Sequence, residues 1–364
     1  MLRVAVENLR KFDWILFLSV FLLFCFGLAA IYSVSLGSGN PDFNDFKKQV
    51  VFGVIGFLIL FILGLGNYTA LRVYNRTIFA SVLALLVFVL LFGATVRGTK
   101  GWFLLGGLGF QPVELAKVAL IILLAKFFSN RLQRFQVSKH IIVSLALCVS
   151  LALPVLLQPD LGSAMILFGI WFILLTLTGI KLRFFLLLFL IFVIIATASW
   201  GFILKDYQKE RILVFLNPQN DPLGGGYNVS QSIIAIGSGK FFGRGLGFGS
   251  QSQLKFIPET KTDFIFAVIA EELGLFGVLI VLGLWGLIFY RLMRIAKRAR
   301  DDFGLFLVLG VMSLFILHLI VNIGMNMGVT PVMGISLPFL SYGGSFLVVS
   351  LALIGVAESV NVRS

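Results

Sequence analysis

The sequence predicts an all-α, polytopic integral membrane protein, with about ten transmembrane helices and one large extracytoplasmic loop between the seventh and the eighth. Three observations carry this. The 364 residues are 59% hydrophobic and 12% charged, at a mean hydropathy of +1.04, whereas soluble domains are about a quarter charged. Uncharged runs of spanning length recur at 14–41, 49–71, 77–96, 161–180 and 184–204, and 303–357 holds no Asp, Glu, Lys or Arg; about 20 apolar residues make one span. Lys and Arg fall mainly in alternate connections. The single domain 1–364 divides into helices one to seven (1–204), the loop (205–263) and helices eight to ten (264–364).

Spans are expected at 14–36, 49–66, 77–95, 111–128, 141–157, 161–180, 184–204, 264–290, 303–327 and 336–358. Arg10-Lys11 ahead of the first would suit a signal peptide, but the run is too long for a signal core, so an uncleaved span is expected. Trp14 and Tyr32 suit interfacial anchoring. The 97–111 connection, rich in Gly and aromatics, suits a re-entrant or interfacial segment. Arg3, Arg10, Lys11, Arg72, Arg76, Lys126, Arg131, Arg134, Lys139, Lys181, Arg183, the Arg291–Arg300 group and Arg363 fall on the N-terminal side. The short loops opposite hold only Lys47, Lys48, Arg97 and Lys100. Both termini are therefore expected in the cytoplasm. The net charge of +13 reads as topology rather than a nucleic-acid footprint.

Charge inside a span is costly and marks a pathway or a site. The fourth span opens Gln111-Pro112-Val113-Glu114-Leu115-Ala116-Lys117, with Pro in the first turn, where a helix tolerates it. Glu114 and Lys117 share a face at i,i+3, either as an ion pair that fixes the helix's rotation or as part of a site. Asp160, in the turn Gln158-Pro159-Asp160-Leu161-Gly162-Ser163, is either a helix N-cap or a site residue. The 205–263 stretch is the one long polar segment and shows no strong periodicity; a loop this long is functional or disordered. It delivers Asp263 to the mouth of the eighth span. Glu271 and Glu272, two turns further on, are expected near mid-membrane, bonded to neighbouring helices. His318, Asn322 and Asn326 form a polar stripe at spacing four, either interhelical glue or substrate contacts. The Pro/Gly-broken stretch Pro331–Ser345 points to a cavity lining, since irregular backbone at membrane depth needs protein or a cavity around it.

Other signals fail. Gly237-Ser238-Gly239-Lys240-Phe241-Phe242-Gly243 has neither phosphate-loop spacing, and Asn228-Val229-Ser230 is a weak sequon. Cys25 and Cys148 lie in apolar runs and make no disulfide framework. The two His and two Cys are scattered and make no metal site.

Following each span's direction, Gln111, Glu114 and Lys117, Asp160, Asp263 and the Pro331–Ser345 stretch converge on the external half of the membrane. Carboxylate, cation and broken loop at a lipid–water boundary suit an anionic, lipid-linked substrate with a polar head. Four stretches resemble the SEDS family: Gln158–Ser163, Lys255–Ala267 (with Pro258-Glu259-Thr260-Lys261-Thr262-Asp263), Glu271–Gly274, and Leu337-Pro338-Phe339-Leu340-Ser341-Tyr342-Gly343-Gly344-Ser345. The resemblance covers essentially the whole chain, and the Asn217–Gln253 part of the loop is nearer the elongation members than the division members. It implies a ten-span peptidoglycan glycosyltransferase polymerising lipid II outside the bacterial cytoplasmic membrane, partnered by a class B penicillin-binding protein. The family's essential aspartate maps onto Asp263, its charged helix-four residues onto Glu114 and Lys117, and its Gln-Pro-Asp turn onto Asp160.

The expected chemistry follows. A sugar on pyrophosphate already has a good leaving group, so the acceptor hydroxyl needs a base more than the donor needs an acid. Asp263 is the candidate base. Gln111, Glu114, Lys117, Asp160, Lys261 and Ser341 are the candidate substrate-binding residues, and Lys117 or the outer Lys47, Lys48, Arg97 and Lys100 would hold pyrophosphate. The cofactor is left open, a divalent cation (Mg or Mn) being the one the chemistry has room for. The rivals are a flippase for the same lipid-linked precursor, which intramembrane charge and broken helices also suit, and a scaffold for the penicillin-binding protein.

Overall fold

The structure is a computed structural model. It describes residues 10–37, 41–96, 98–105, 108–130, 137–181, 183–187, 190, 197, 200–201, 206–217, 221, 224–254 and 256–364. The elements in chain order are α1 (Trp14–Leu36), α2 (Asn44–Leu65), the short α3 (Thr69–Val73), α4 (Asn75–Phe92), three strands, α5 (Pro112–Ser129), α6 (Val137–Leu157) and α7 (Leu161–Leu177). After them come α8 (Asp206–Leu216), α9 (Gly225–Ser238), α10 (Ser250–Gln253), α11 (Ile265–Arg298), α12 (Asp302–Asn326) and α13 (Gly344–Val362). Among the described residues seven helices are long and apolar enough to cross a membrane, and α7 is a shorter apolar helix. An all-α, multi-pass architecture is what these elements make. The expected seventh span, 184–204, lies largely outside the described residues.

The 97–111 connection, expected as a re-entrant or interfacial segment, is built of strands: β1 (Ala94–Val96), β2 (Thr99–Leu105) and β3 (Leu108–Phe110) form an antiparallel meander in the order β1-β2-β3. Thr95, Val96, Thr99, Trp102 and Phe103 are residue types that fit a pleated surface, and Gly98, at φ +82°, makes the first turn. The last span begins at Gly344 rather than 336, because residues 331–343 are non-helical. The long loop is not without periodicity. On α9, Val229, Ser232 and Ala235 are all buried, a helical face concealed by the glycines around it.

The eighth span is broken. Gly274 sits at φ 66° inside α11, a conformation natural to glycine. Freed helix carbonyls must find other donors, and the loop supplies them. Arg244 and Gly245 amides donate to the Glu271 and Glu272 carbonyls at 3.0 and 2.9 Å, while Leu275 and Phe276 amides donate to Lys240 and Phe241 at 2.8 and 3.1 Å. A Cβ on Gly274 would stand 2.3 Å from the Gly243 nitrogen, so no side chain fits. The loop is thus stitched into the bundle at the break.

Helix packing relies on small residues that let backbones approach. A Cβ on Gly355 of α13 would lie 2.6 Å from the Leu60 carbonyl oxygen of α2, and one on Gly27 of α1 would lie 2.5 Å from that of Leu340. At the end holding Arg291 and Lys297, Arg291 Nε donates to Asp13 at 2.6 Å and the Asp13 amide to Glu358 at 3.1 Å. That cluster ties α1, α11 and α13 together. The loop and every candidate site residue lie at the other end.

Candidate active site

Four consecutive residues of the broken segment meet three candidate elements. A Cβ on Gly162, two residues after Asp160, would stand 2.6 Å from the Met333 carbonyl oxygen. A Cβ on Gly334 would stand 3.7 Å from Asp263 Oδ2. The Ile335 carbonyl accepts from Asn322 Nδ2 at 2.7 Å. The Ser336 carbonyl accepts from His318 Nδ1 at 3.0 Å. Backbone without helical hydrogen bonds has these carbonyls to offer, and α12 carries the donors that use two of them.

Asp263 is half-buried, and the chain leading to it is pinned at three successive carbonyls. Lys261 accepts from the Tyr342 amide at 2.7 Å. Thr262 accepts from Ser341 Oγ at 2.6 Å. Asp263 accepts from Asn322 and Asn326 Nδ2 at 3.0 and 2.9 Å. The helix after it has Phe264 as its N-cap residue.

Lys117 is 1% exposed and Glu114 5%. The ammonium donates to Glu114 Oε1 and Oε2 at 2.9 and 3.0 Å and lies 3.3 Å from His318 Nε2. Phe346 stacks on His318 at 4.6 Å between centroids, with the ammonium 5.4 Å from its ring. All of the cation's donors have partners in the protein, so reaching a substrate anion means exchanging one of them. Gln111 Nε2 donates to Asp160 Oδ2 at 3.4 Å, while Asp160 Oδ1 caps α7 through the Ser163 amide at 2.9 Å.

Lys261 pairs with Asp45 at 2.8 Å. Burial, and Asp45 beside it, push the Tyr342 phenol up, which keeps it a donor. The Ser341 hydroxyl bonds inside the protein, accepting from the Leu337 amide at 2.8 Å besides donating to Thr262. Of the outer cations, Lys100 donates to the Leu91 carbonyl at 3.2 Å, Lys47 is exposed and Lys48 half-buried. Arg97 lies outside the described residues.

Sequence reasoning missed Asp45 and Gln49. Gln49 is wholly buried, donates to the Ser341 carbonyl at 3.0 Å and accepts from the Gly343 amide at 3.3 Å. An acid one turn ahead of an apolar run was the one local signal, and it does not name a partner. Glu271 and Glu272 hold the loop as well as a neighbouring helix. Glu272 does reach a neighbouring span, accepting from Ser33 Oγ in the last turn of α1 at 2.6 Å, but it also holds Gln253 Nε2 at 3.1 Å. Glu271 accepts the Gln251 and Ser252 amides at 2.8 and 3.0 Å. The pair thus ties the 251–253 part of the loop to α11, and Glu272 ties it to α1 as well.

A cavity of about 350 Å³ opens beside the site between α8, α9 and the 328–332 turn, with Glu210, Arg211, Asp221 and Thr330 among its polar lining. Its Val332 wall also packs on the cluster of Ala235, Ile257, Phe264 and Ala267, next to Asp263.

The family model described as cell cycle protein, for FtsW, RodA and SpoVE, matches residues 13–364. The chain belongs to this family, SEDS. Among its relatives, a probable peptidoglycan glycosyltransferase FtsW of Trichlorobacter lovleyi is 36% identical over 97% of this chain and 94% of its own. The peptidoglycan glycosyltransferase MrdB of Escherichia coli K12 is 37% identical over 91% and 90%. Identity therefore does not separate the branches. Among solved structures, a chain of a peptidoglycan synthase complex that coordinates polymerization and crosslinking superposes with TM-score 0.80 at 33% identity, over 96% of this chain and 97% of that one. The rod shape determining protein RodA of Thermus thermophilus superposes at 0.72 and 27% identity, over 96% of each. This SEDS chain is thus a multi-pass bacterial membrane protein with peptidoglycan glycosyltransferases for homologues.

Proposed function

We propose that this protein polymerises peptidoglycan from lipid II at the outer face of the cytoplasmic membrane during cell elongation, with Asp263 as general base. The observation that carries the reading is the pinning of Asp263. A carboxylate whose peptide is held on three successive carbonyls, beside an open glycine, is oriented before substrate arrives, and preorganisation of this kind lowers a barrier. The names of the relatives supply the reaction class.

In the proposed step the acceptor sugar hydroxyl loses its proton to an Asp263 carboxylate oxygen as its oxygen attacks the anomeric carbon. The bond from that carbon to the pyrophosphate oxygen breaks, pyrophosphate leaves with the electron pair, and configuration inverts. The leaving group's charge needs a cation. Lys117 is the buried one, and a shift of its ammonium from Glu114 towards phosphate oxygen would supply it. The cavity of about 350 Å³ gives room on the same side for part of a polar head. Among the described residues no group of three or more His, Cys, Asp or Glu could cage a metal. A Mg²⁺ or Mn²⁺ would rest chiefly on phosphate oxygens with a carboxylate or two of the protein, and we propose it in that form only.

A class B penicillin-binding protein is the proposed partner, since a relative in the peptidoglycan synthase complex superposes over nearly the whole chain. The test is purified protein, alone and with that partner, incubated with lipid II in detergent and assayed for glycan polymer. Absence of polymer under both conditions from well-folded protein would overturn the reading.

A further inference from the structure

Asn322 and Asn326 are both 0% exposed. A buried carboxamide is costly unless its hydrogen bonds are met, and these are met chiefly by backbone. Asn322 Nδ2 bridges the Asp263 and Ile335 carbonyls, at 3.0 and 2.7 Å. Asn326 Nδ2 bridges the Asp263 and Asn322 carbonyls at 2.9 and 2.8 Å, while its Oδ1 accepts the Ala267 amide at 3.2 Å. Two side chains one helical turn apart therefore grip a single carbonyl. One donor would satisfy it. Two of them, approaching from neighbouring turns of a packed helix, also fix the plane of the peptide.

That plane sets the direction in which Asp263 projects its side chain. Gly334, whose Cβ position is 3.7 Å from Asp263 Oδ2, belongs to the segment that Asn322 holds at Ile335. One carboxamide thus spans both walls of the space around the carboxylate.

We propose that Asn322 and Asn326 are positioning residues for Asp263, with Asn322 also setting the gap between its carboxylate and the 334–336 backbone. This rests on the reading of Asp263 as the general base. The residues act through the peptide, so they are expected to govern turnover and not substrate affinity.

The test compares Asn322→Ala, Asn326→Ala and the double variant, each purified with its folded fraction measured by monodispersity, well below its melting midpoint. Each single variant leaves one donor on the Asp263 carbonyl, so folding should survive. Per folded molecule, kcat is expected to fall about tenfold in the singles and about a hundredfold in the double, the scale of a displacement of about 1 Å. KM for lipid II should stay within about twofold. Native kcat in the double variant would overturn the proposal. So would a loss confined to KM, which would make these substrate contacts, or one accounted for by the folded fraction, which would make them packing. Full activity in Asp263→Asn would instead remove the reading beneath the proposal, and the two failures are separately visible.

Discussion

Lys117 and His318 face each other across 3.3 Å, ammonium to imidazole, inside the helix bundle. An ammonium can only donate and the Ser336 carbonyl can only accept, which makes Nε2 the acceptor and Nδ1–H the donor. His318 is therefore the link between the charged pair of α5 and the broken segment that also borders Asp263.

The first prediction concerns the charged pair. Removing one partner of a buried ion pair strands the other and costs about 3–5 kcal/mol. Glu114→Ala and Lys117→Ala should each lower the melting midpoint and polymerisation, and the double variant should lose less than the sum. Lys117→Ala that keeps native activity and native lipid II affinity would leave the pair a structural or dispensable feature.

The Lys261–Asp45 pair should behave differently. Its side chains are 22% and 35% exposed, and such a pair contributes only about 1 kcal/mol or less. Asp45→Asn should barely move the melting midpoint. It should lower kcat more visibly, because Asp45 and the Tyr342 amide together hold the residue two before Asp263. Exchanging the charges, Asp45→Lys with Lys261→Asp, should recover part of the loss. No recovery, with kcat already normal in Asp45→Asn, would show that the pair does not position the site.

Topology gives a third expectation. If the Arg291–Arg300 connection is cytoplasmic, a cysteine at Lys297 should resist impermeant thiol reagents in intact cells, while one at exposed Phe242 in the loop should react. The native Cys25 and Cys148, half-buried and buried, should contribute little background. Labelling at position 297 from outside would place the site on the wrong face for an external polymerase.

The convergence of Asp263, Glu114, Lys117, Asp160 and Pro331–Ser345 is legible in the sequence because hydropathy fixes the spans and their count fixes which ends meet. The contacts that complete it are not. Asp45 reaches Lys261 across 216 residues and Gln49 reaches Ser341 across 292. A hydrogen bond to a distant backbone carbonyl leaves no spacing behind it. The Gly274 break is hidden for a related reason: one glycine in an apolar run looks like helix packing until the 240–245 backbone that fills the break is placed against it. The polar stripe His318, Asn322 and Asn326 is legible as a face, yet its targets are carbonyls, which every residue possesses.

The final prediction is Asp263→Asn. It preserves shape and polarity and leaves the backbone bonds from Asn322 and Asn326 in place, but an amide cannot take a proton. Loss of a general base costs about 10²–10⁴ in rate, or about 3–5 kcal/mol of barrier. Folding, lipid II binding and partner association should stay near native. Asp263→Glu should fail as well, since one added methylene moves the oxygens by about 1 Å from a site held this tightly. If the carboxylate served only as a helix cap, asparagine would replace it almost without loss. A flippase would not need a base at all. Abolished polymerisation by Asp263→Asn, with transbilayer movement of lipid II unchanged, separates the two activities. Polymer formed at the native rate by that variant would end the assignment of Asp263 as base.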